Sequence, residues 1–546
     1  MVAGSAGQRR EAGRYGERMT LTILDTTLRD GALTEDITLT VDDKLRLAAL
    51  IDSLGVHYLE GGWPQVFEQD LLFFERAPDL ALSAKLTVFG ATRRPETQAR
   101  RDRGLQLLLQ TGAPVVHLYG KVWTLHVERV LGTTRDENLG MLRDSVTLLK
   151  EAGREVIYTA EHFFDGFRAD REYALANVRA AVECGADVVC LGDSTGGALP
   201  ALVTEGVAAA LDVAGERVVG LHLHDDLGLA LANTLAGLGA GARHVQGTVN
   251  GYGARTGITD LCTLLPILKL KMGVDAVTDD QLARLSGVAR QVAELVGLGE
   301  AMDHHPVVGR KVFAHKTQTH VAAVLSTPEA YEAIPPERVG NQRRLLLPGL
   351  TRPTYLQEVA RTYGVDLSQD SAANAHILSV LKGLEDQGYT YEDAPASLEL
   401  RLAALTGTST PRLSVERLRL FEVIRGLNQT VVESSLKVRV NGETLYVAAE
   451  GAEPVEALYL VLVEALGADP ECRPRAARLQ LGAVRIRNVG HNRKRVTVNM
   501  NDGQRAWTTV GIDADVIRAA WIALLDGVEY GMSDLHHNAE QSASTT

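Results

Sequence analysis

Between Leu21 and Gly251 one alternation repeats eight times: a short run rich in β-branched and other apolar residues, then a stretch with helical spacing. The runs are LTILDTT (21–27), VHYLEGG (56–62), KLTVFGA (85–91), VVHLYGK (115–121), EVIYTAEHF (155–163), ADVVCLGD (186–193), VVGLHLHDD (218–226) and HVQGTVNG (244–251). Strands joined through helices run parallel, because a helical crossover returns the chain to the same end of the sheet. Eight such units is the count of a (β/α)8 barrel, with an open doubly wound sheet as the alternative. The helical stretches carry their own punctuation: REYALANVRAAVECG ends on a glycine placed for a C-cap. In a barrel the chemistry belongs at the C-terminal ends of the strands. DTTLRDG, EGGWP, AEHFFDG, GDSTGG and HLHDD all fall there.

Residues 220–226, GLHLHDD, place His222 and His224 two apart on the seventh run, so their side chains share a face. Taken alone, such a pair is more often buried or hydrogen-bonded than metal-ligating. TLRDG at the end of the first run shifts the balance, because Arg29 and Asp30 would reach the same barrel mouth. One carboxylate with two imidazoles makes an open site for a divalent cation, with positions left for water and substrate. A local Arg29–Asp30 ion pair in a turn is the plainer reading, and it leaves the histidines unexplained.

Residues 258–410 read as mainly helical, with an irregular stretch rich in His, Arg and Pro at 303–355. From about 415 the pattern changes to alternating strands and two apolar helices, the mark of a separate α+β domain. The expected organisation is a disordered extension (1–19), a TIM barrel (20–275), mainly helical post-barrel subdomains (276–410), a C-terminal α+β domain (415–531) and a disordered tail (532–546). A net charge of −13 argues against nucleic-acid or anionic-membrane partners. Four cysteines without CxxC spacing fit a reducing compartment and form neither a disulfide framework nor a zinc ribbon. With no membrane-length apolar run and no secretory signal, a cytoplasmic location is expected.

LDTTLRDGA, GVHYLEGGWP, GREVIYTAEHFFDGF and HLHDDLGLALANTLAGL together resemble the DRE-TIM metallolyase superfamily, and within it the citramalate synthase and 2-isopropylmalate synthase group. The resemblance continues through VGRKVFAHKTQTHVAAV and YEAIPPERVGNQRRLL and into a C-terminal domain similar to the family's dimeric regulatory domain, about 20–531 in all. It implies a divalent cation (Mg2+ or Mn2+, with Zn2+ as the alternative) held by Asp30, His222 and His224. Arg29 would bind the keto oxygen of a 2-oxo acid and stabilise the alkoxide that develops there. Glu161 falls on the family's active-site glutamate, and Ser194 where a threonine usually helps bind the substrate carboxylate. His320 and Tyr331 match the pair that reaches the mouth from the post-barrel region, often of the other subunit, for acid/base work on the acetyl-CoA methyl group. The implied activity is a Claisen-type condensation of acetyl-CoA, or a related acyl-CoA, with a 2-oxo acid such as pyruvate, in a homodimer.

The pattern breaks in the loop after the eighth strand. The family's GxGERxGN reads GYGARTGI here, so Ala254 replaces a glutamate and Ile258 replaces the asparagine that supplies a further metal ligand. Isoleucine has no oxygen for a hard cation, so water, Asp225 or Asp260 would have to complete the set. Leu33 stands where an amide is usual, Asp225 replaces an asparagine, and HKTQTH lacks the family's paired glycines. These departures keep two further readings open: a carbon–carbon lyase of the same superfamily, and a specialised or non-catalytic paralogue with an altered metal site.

Overall fold

A computed structural model of the chain describes residues 21–345, 360, 371–391, 393–409, 411–425, 429–490, 492–533 and 535. The expectations for 1–19 and 536–546 lie outside the described residues. Eight parallel strands close into a barrel in sequence order, so the (β/α)8 reading holds over the open sheet. They are β1 (Thr22–Asp25), β2 (Tyr58–Gly62), β3 (Lys85–Ala91), β4 (Val115–Lys121), β5 (Glu155–Glu161), β6 (Val188–Asp193), β7 (Val218–Leu223) and β8 (His244–Gly247), with β8 pairing back onto β1. The surrounding helices start where local chemistry starts them. At Val41–Asp52, Thr40 accepts from the Asp43 amide while the Asp43 side chain accepts from the Thr40 amide.

Four of the eight strands, β1, β5, β7 and β8, stop short of the apolar runs that foreshadowed them. After β1 the Asp25 carboxylate accepts from the Thr27 amide (2.8 Å) and hydroxyl (2.9 Å), turning the chain into the Arg29–Asp30 loop. After β5, His162 takes a left-handed conformation at φ 58. His224 lies just beyond β7, in an isolated bridge to Ile258.

The barrel interior is layered. At its N-terminal end Leu24, Tyr58, Val115, Ile157, Val188 and Cys190 form a closed apolar cluster. Gly220 makes room for it, since a Cβ there would lie 2.5 Å from Cys190 Sγ. Two residues beyond Leu24, Tyr58, Val115 and Ile157 the inward positions turn polar, as Thr26, Glu60, His117 and Thr159, and His222 and Gln246 of β7 and β8 join them through side-chain contacts. This buried polar layer is the floor of the site.

Two compact units divide the chain. The first runs to Ala314 and includes Thr327–Arg344; the second takes His315–Ser326 and the chain from Leu345. The second unit contains two three-stranded antiparallel sheets, Leu413–Gly451 and Gln480–Asp513. Helices Pro454–Ala468 and Val516–Met532 contribute to its apolar core through Leu458, Leu462, Ala523 and Leu524. Helix Pro395–Leu405, which lies in the expected post-barrel region, joins this assembly: the Ser397 hydroxyl accepts from the Val510 amide (3.0 Å) and donates to Asp526 (2.9 Å). Among the described residues no helix is long and apolar enough to cross a membrane.

Candidate active site

Asp30, His222 and His224 are all buried, and one potential ligand atom from each lies within 4.8 Å of the others. His222 Nδ1 pairs with the Gln246 side-chain oxygen at 2.8 Å. An amide oxygen only accepts, so this contact assigns the proton to Nδ1 and leaves the Nε2 lone pair facing Asp30 Oδ2, 3.5 Å away. Burial, with His222 alongside, pushes the His224 imidazole down to about 4, so it is neutral at pH 7. Its Nδ1 is buried without a hydrogen-bond partner, an expense that a bound ion would remove. Burial alone would raise Asp30, but the Arg29 guanidinium and the histidines outweigh it and hold the carboxyl well below its usual range. A carboxylate and two imidazoles whose ligand atoms converge suit a divalent cation. Replacing Gln246 by leucine is expected to weaken Mn2+ binding about 10–100-fold. Calorimetric titration reads this directly, and an unchanged affinity would remove Gln246 from the support of the site.

Arg29 is anchored on three sides. Its Nε donates to Glu60 Oε2 at 2.6 Å, its Nη1 to Asp30 Oδ2 at 2.5 Å, and its guanidinium carbon lies 3.8 Å from the centroid of the Phe89 ring. The ion pair with Asp30 is therefore real, and it is one contact in a larger network. Glu60 also accepts from the Thr26 hydroxyl (2.5 Å) and from His117 Nδ1, and His117 Nε2 accepts from the Thr159 hydroxyl at 2.6 Å. Arg29 Nη2 is left over, buried and without a partner. A guanidinium held rigidly with one whole nitrogen unused is prepared for a ligand oxygen.

Glu161 ends β5 and its Oε2 lies 2.5 Å from Lys121 Nζ at the end of β4. The Ser194 hydroxyl accepts from the His162 amide at 2.9 Å, which leaves its own proton to donate. His320 lies on helix Gln318–Ser326 in the second unit, whereas Tyr331 follows a turn at Pro328–Ala330 in the first and is half exposed.

The eighth loop reaches the group through its backbone. Ala254 still contributes through its backbone, donating its N–H to Asp30 Oδ1 at 3.1 Å. The loop is cramped: a Cβ on Gly257 (φ 102) would fall 1.9 Å from the Gly251 carbonyl oxygen. Asp225 accepts from the Ala230 amide at 2.7 Å, and Asp260 caps the helix Leu261–Pro266 by accepting from the Cys262 amide at 2.9 Å. Neither joins the Asp30–His222–His224 group among the described residues. Of the completing ligands considered from sequence, water remains.

The sequence motifs did not single out Glu60, His117, Thr159 or Gln246 as functional. The signal that finds them is the period of two. Counting inward positions up each strand from the apolar cluster places Glu60, His117 and Thr159 in one layer, and Gln246 joins it through His222 and His117.

Comparison with known proteins agrees with this architecture. A family model described as HMGL-like matches residues 20–292, one for a homocitrate synthase post-HMGL domain matches 307–389, and one for the LeuA allosteric (dimerisation) domain matches 394–532. An (R)-citramalate synthase of Synechocystis sp. is 38% identical over 94% of this chain and 97% of its own length. One from Streptomyces coelicolor is 40% identical over 93% of this chain and 96% of its own. A 2-isopropylmalate synthase of Sulfolobus acidocaldarius is 33% identical over 68% of this chain and 93% of its own.

Proposed function

We propose a reaction from the premise that the chain belongs to the HMGL-like family and is similar over nearly its whole length to (R)-citramalate synthases. It is an acyltransferase that joins the methyl carbon of acetyl-CoA to the keto carbon of a 2-oxo acid, pyruvate, and releases CoA. The observation that carries this reading is the unused Nη2 of Arg29 beside the buried Asp30–His222–His224 group. Together they offer a cation site and a hydrogen-bond donor for adjacent oxygens of one small ligand.

Asp30, His222 and His224 would hold the divalent cation, Mg2+ or Mn2+, with Zn2+ as the alternative that two imidazoles allow. When bound, it would act as a Lewis acid that draws electron density from the keto group. Arg29 donates to the keto oxygen from a position fixed by Glu60, Asp30 and Phe89, so no reorganisation is needed as charge develops there. Ser194 donates its hydroxyl proton to the substrate carboxylate. Glu161 orients a ligand or water, and His320 and Tyr331 are assigned the acid/base work on the acetyl-CoA methyl group, whose deprotonation gives the enolate that attacks the keto carbon. Hydrolysis of the thioester then drives the condensation forward. The chain forms homodimers through the region matching the LeuA dimerisation domain, which also suits feedback inhibition by a branched-chain amino acid. Its four unpaired cysteines fit the cytoplasm.

Purified protein is expected to release CoA from acetyl-CoA in the presence of pyruvate and added Mg2+ or Mn2+, and to lose this activity with chelator. Colorimetric detection of the free thiol across a panel of 2-oxo acids tests it. No release with any acid from folded, metal-supplemented protein overturns the synthase reading. It would favour the paralogue reading to which Ala254 and Ile258 lend weight.

A further inference from the structure

The mouth of the barrel holds a charged pair of which the mechanism above uses only the carboxylate. Lys121 and Glu161 are register partners at the ends of β4 and β5. Both point inward. His117 and Thr159 meet inside the barrel through their side chains, and Lys121 and Glu161 follow them on the same faces of their strands, four and two residues further on. Lys121 Nζ lies 2.5 Å from Glu161 Oε2, with the two side chains only 19% and 24% exposed. The same ammonium sits 5.6 Å from the centroid of the Tyr119 ring. Tyr119 stacks on Phe89 at 5.2 Å, and Phe89 in turn carries Arg29. The pair is thus joined by packed side chains to the group that receives the keto oxygen.

Charge gives the pair its meaning. Arg29 is already matched to Asp30 and Glu60. Arg29 therefore does not offset Glu161, and a bare carboxylate there would face an anionic substrate in a confined, half-dry space. Burying a charge without a partner is costly, and two facing carboxylates are worse. On the condensation reading above, we propose that Lys121 is a positioning residue for the 2-oxo acid: its ammonium neutralises Glu161 and fixes its direction, so that the substrate carboxylate enters the mouth without meeting like charge.

Calorimetric titration of pyruvate into the Mn2+-loaded full-length protein tests this without requiring turnover. K121M is expected to raise the pyruvate Kd about tenfold or more. K121R should stay within about threefold of wild type, since the cation is kept. K121M/E161Q should return to within about threefold as well, because the repelling charge has gone with its partner. In steady-state assays the acetyl-CoA KM of K121M should move by less than about twofold, which a general loss of structure would not permit. An unchanged Kd in K121M overturns the proposal, and so does a double variant as weak as K121M. CoA release by the wild type is read in parallel: its absence counts against the synthase reading, whereas the Kd pattern alone decides the role of Lys121.

Discussion

Replacing Arg29 by lysine is expected to lower kcat for CoA release about 10²–10³-fold, the range measured when one preorganised oxyanion donor is lost. The prediction follows from counting donors. In the folded protein Nε is committed to Glu60 and Nη1 to Asp30, and only Nη2 remains for substrate. A lysine ammonium carries three protons but not in a planar fork, so it cannot span Glu60 and Asp30 and still aim a donor at a fixed third point. It also gives up the flat face that rests on Phe89 at 3.8 Å. The charge is conserved, so Glu60 is not stranded and the barrel should fold. Metal binding should change less than turnover, since Asp30, His222 and His224 are untouched. Steady-state kinetics with pyruvate and acetyl-CoA, beside Mn2+ titration of the same variant, separate the two effects. A variant within tenfold of wild type in kcat would show that Arg29 is structural, and the lone Nη2 a coincidence.

The Asp30–His222–His224 cluster was legible in the sequence because its two parts are local: a carboxylate in the turn after one strand and two histidines with the spacing of a strand face. Closure of the barrel then had to bring them together, and the eightfold alternation implied that closure. What supports the group was harder to read. Glu60, His117, Thr159 and Gln246 come from four different strands, and each looks ordinary alone. Their roles follow from register, which depends on how far each strand is staggered along the barrel and is set by contacts between strands rather than within them. The strand ends were overrun for a related reason. Asp25 and His162 stop their strands by a side-chain cap and a left-handed backbone, neither of which changes the apolar character of the run. The eighth loop shows the opposite case. Ala254 lacks the glutamate side chain, yet it reaches Asp30 through a backbone N–H that almost any residue would supply.

The largest stability effect should come from Glu60, the carboxylate on which the polar floor converges. Burial works against its ionisation, yet the Arg29 guanidinium and His117 outweigh burial and bring it from an ordinary 4.5 down to about 2. A depressed value in the folded state means that the unfolded chain takes up the proton first. The stabilisation is therefore fully present above about pH 4.5 and is lost as the pH falls toward 2. A shift of this size corresponds to about 3 kcal/mol, comparable with the ~3–5 kcal/mol cost of removing one member of a buried ion pair. E60Q should accordingly lose about 3 kcal/mol in urea unfolding of the barrel at pH 7, with the gap to wild type closing as both proteins are examined below pH 4. Glutamine keeps the size and one acceptor oxygen but leaves the Arg29 cation without its strongest partner, so kcat should fall as well, through a guanidinium free to swing. The two readouts discriminate between origins. A deficit that stays constant from pH 7 to pH 3 would mean that shape and hydrogen bonding, rather than charge, make Glu60 matter. A deficit that closes while kcat at pH 7 stays near wild type would mean that Asp30 and Phe89 suffice to aim Arg29.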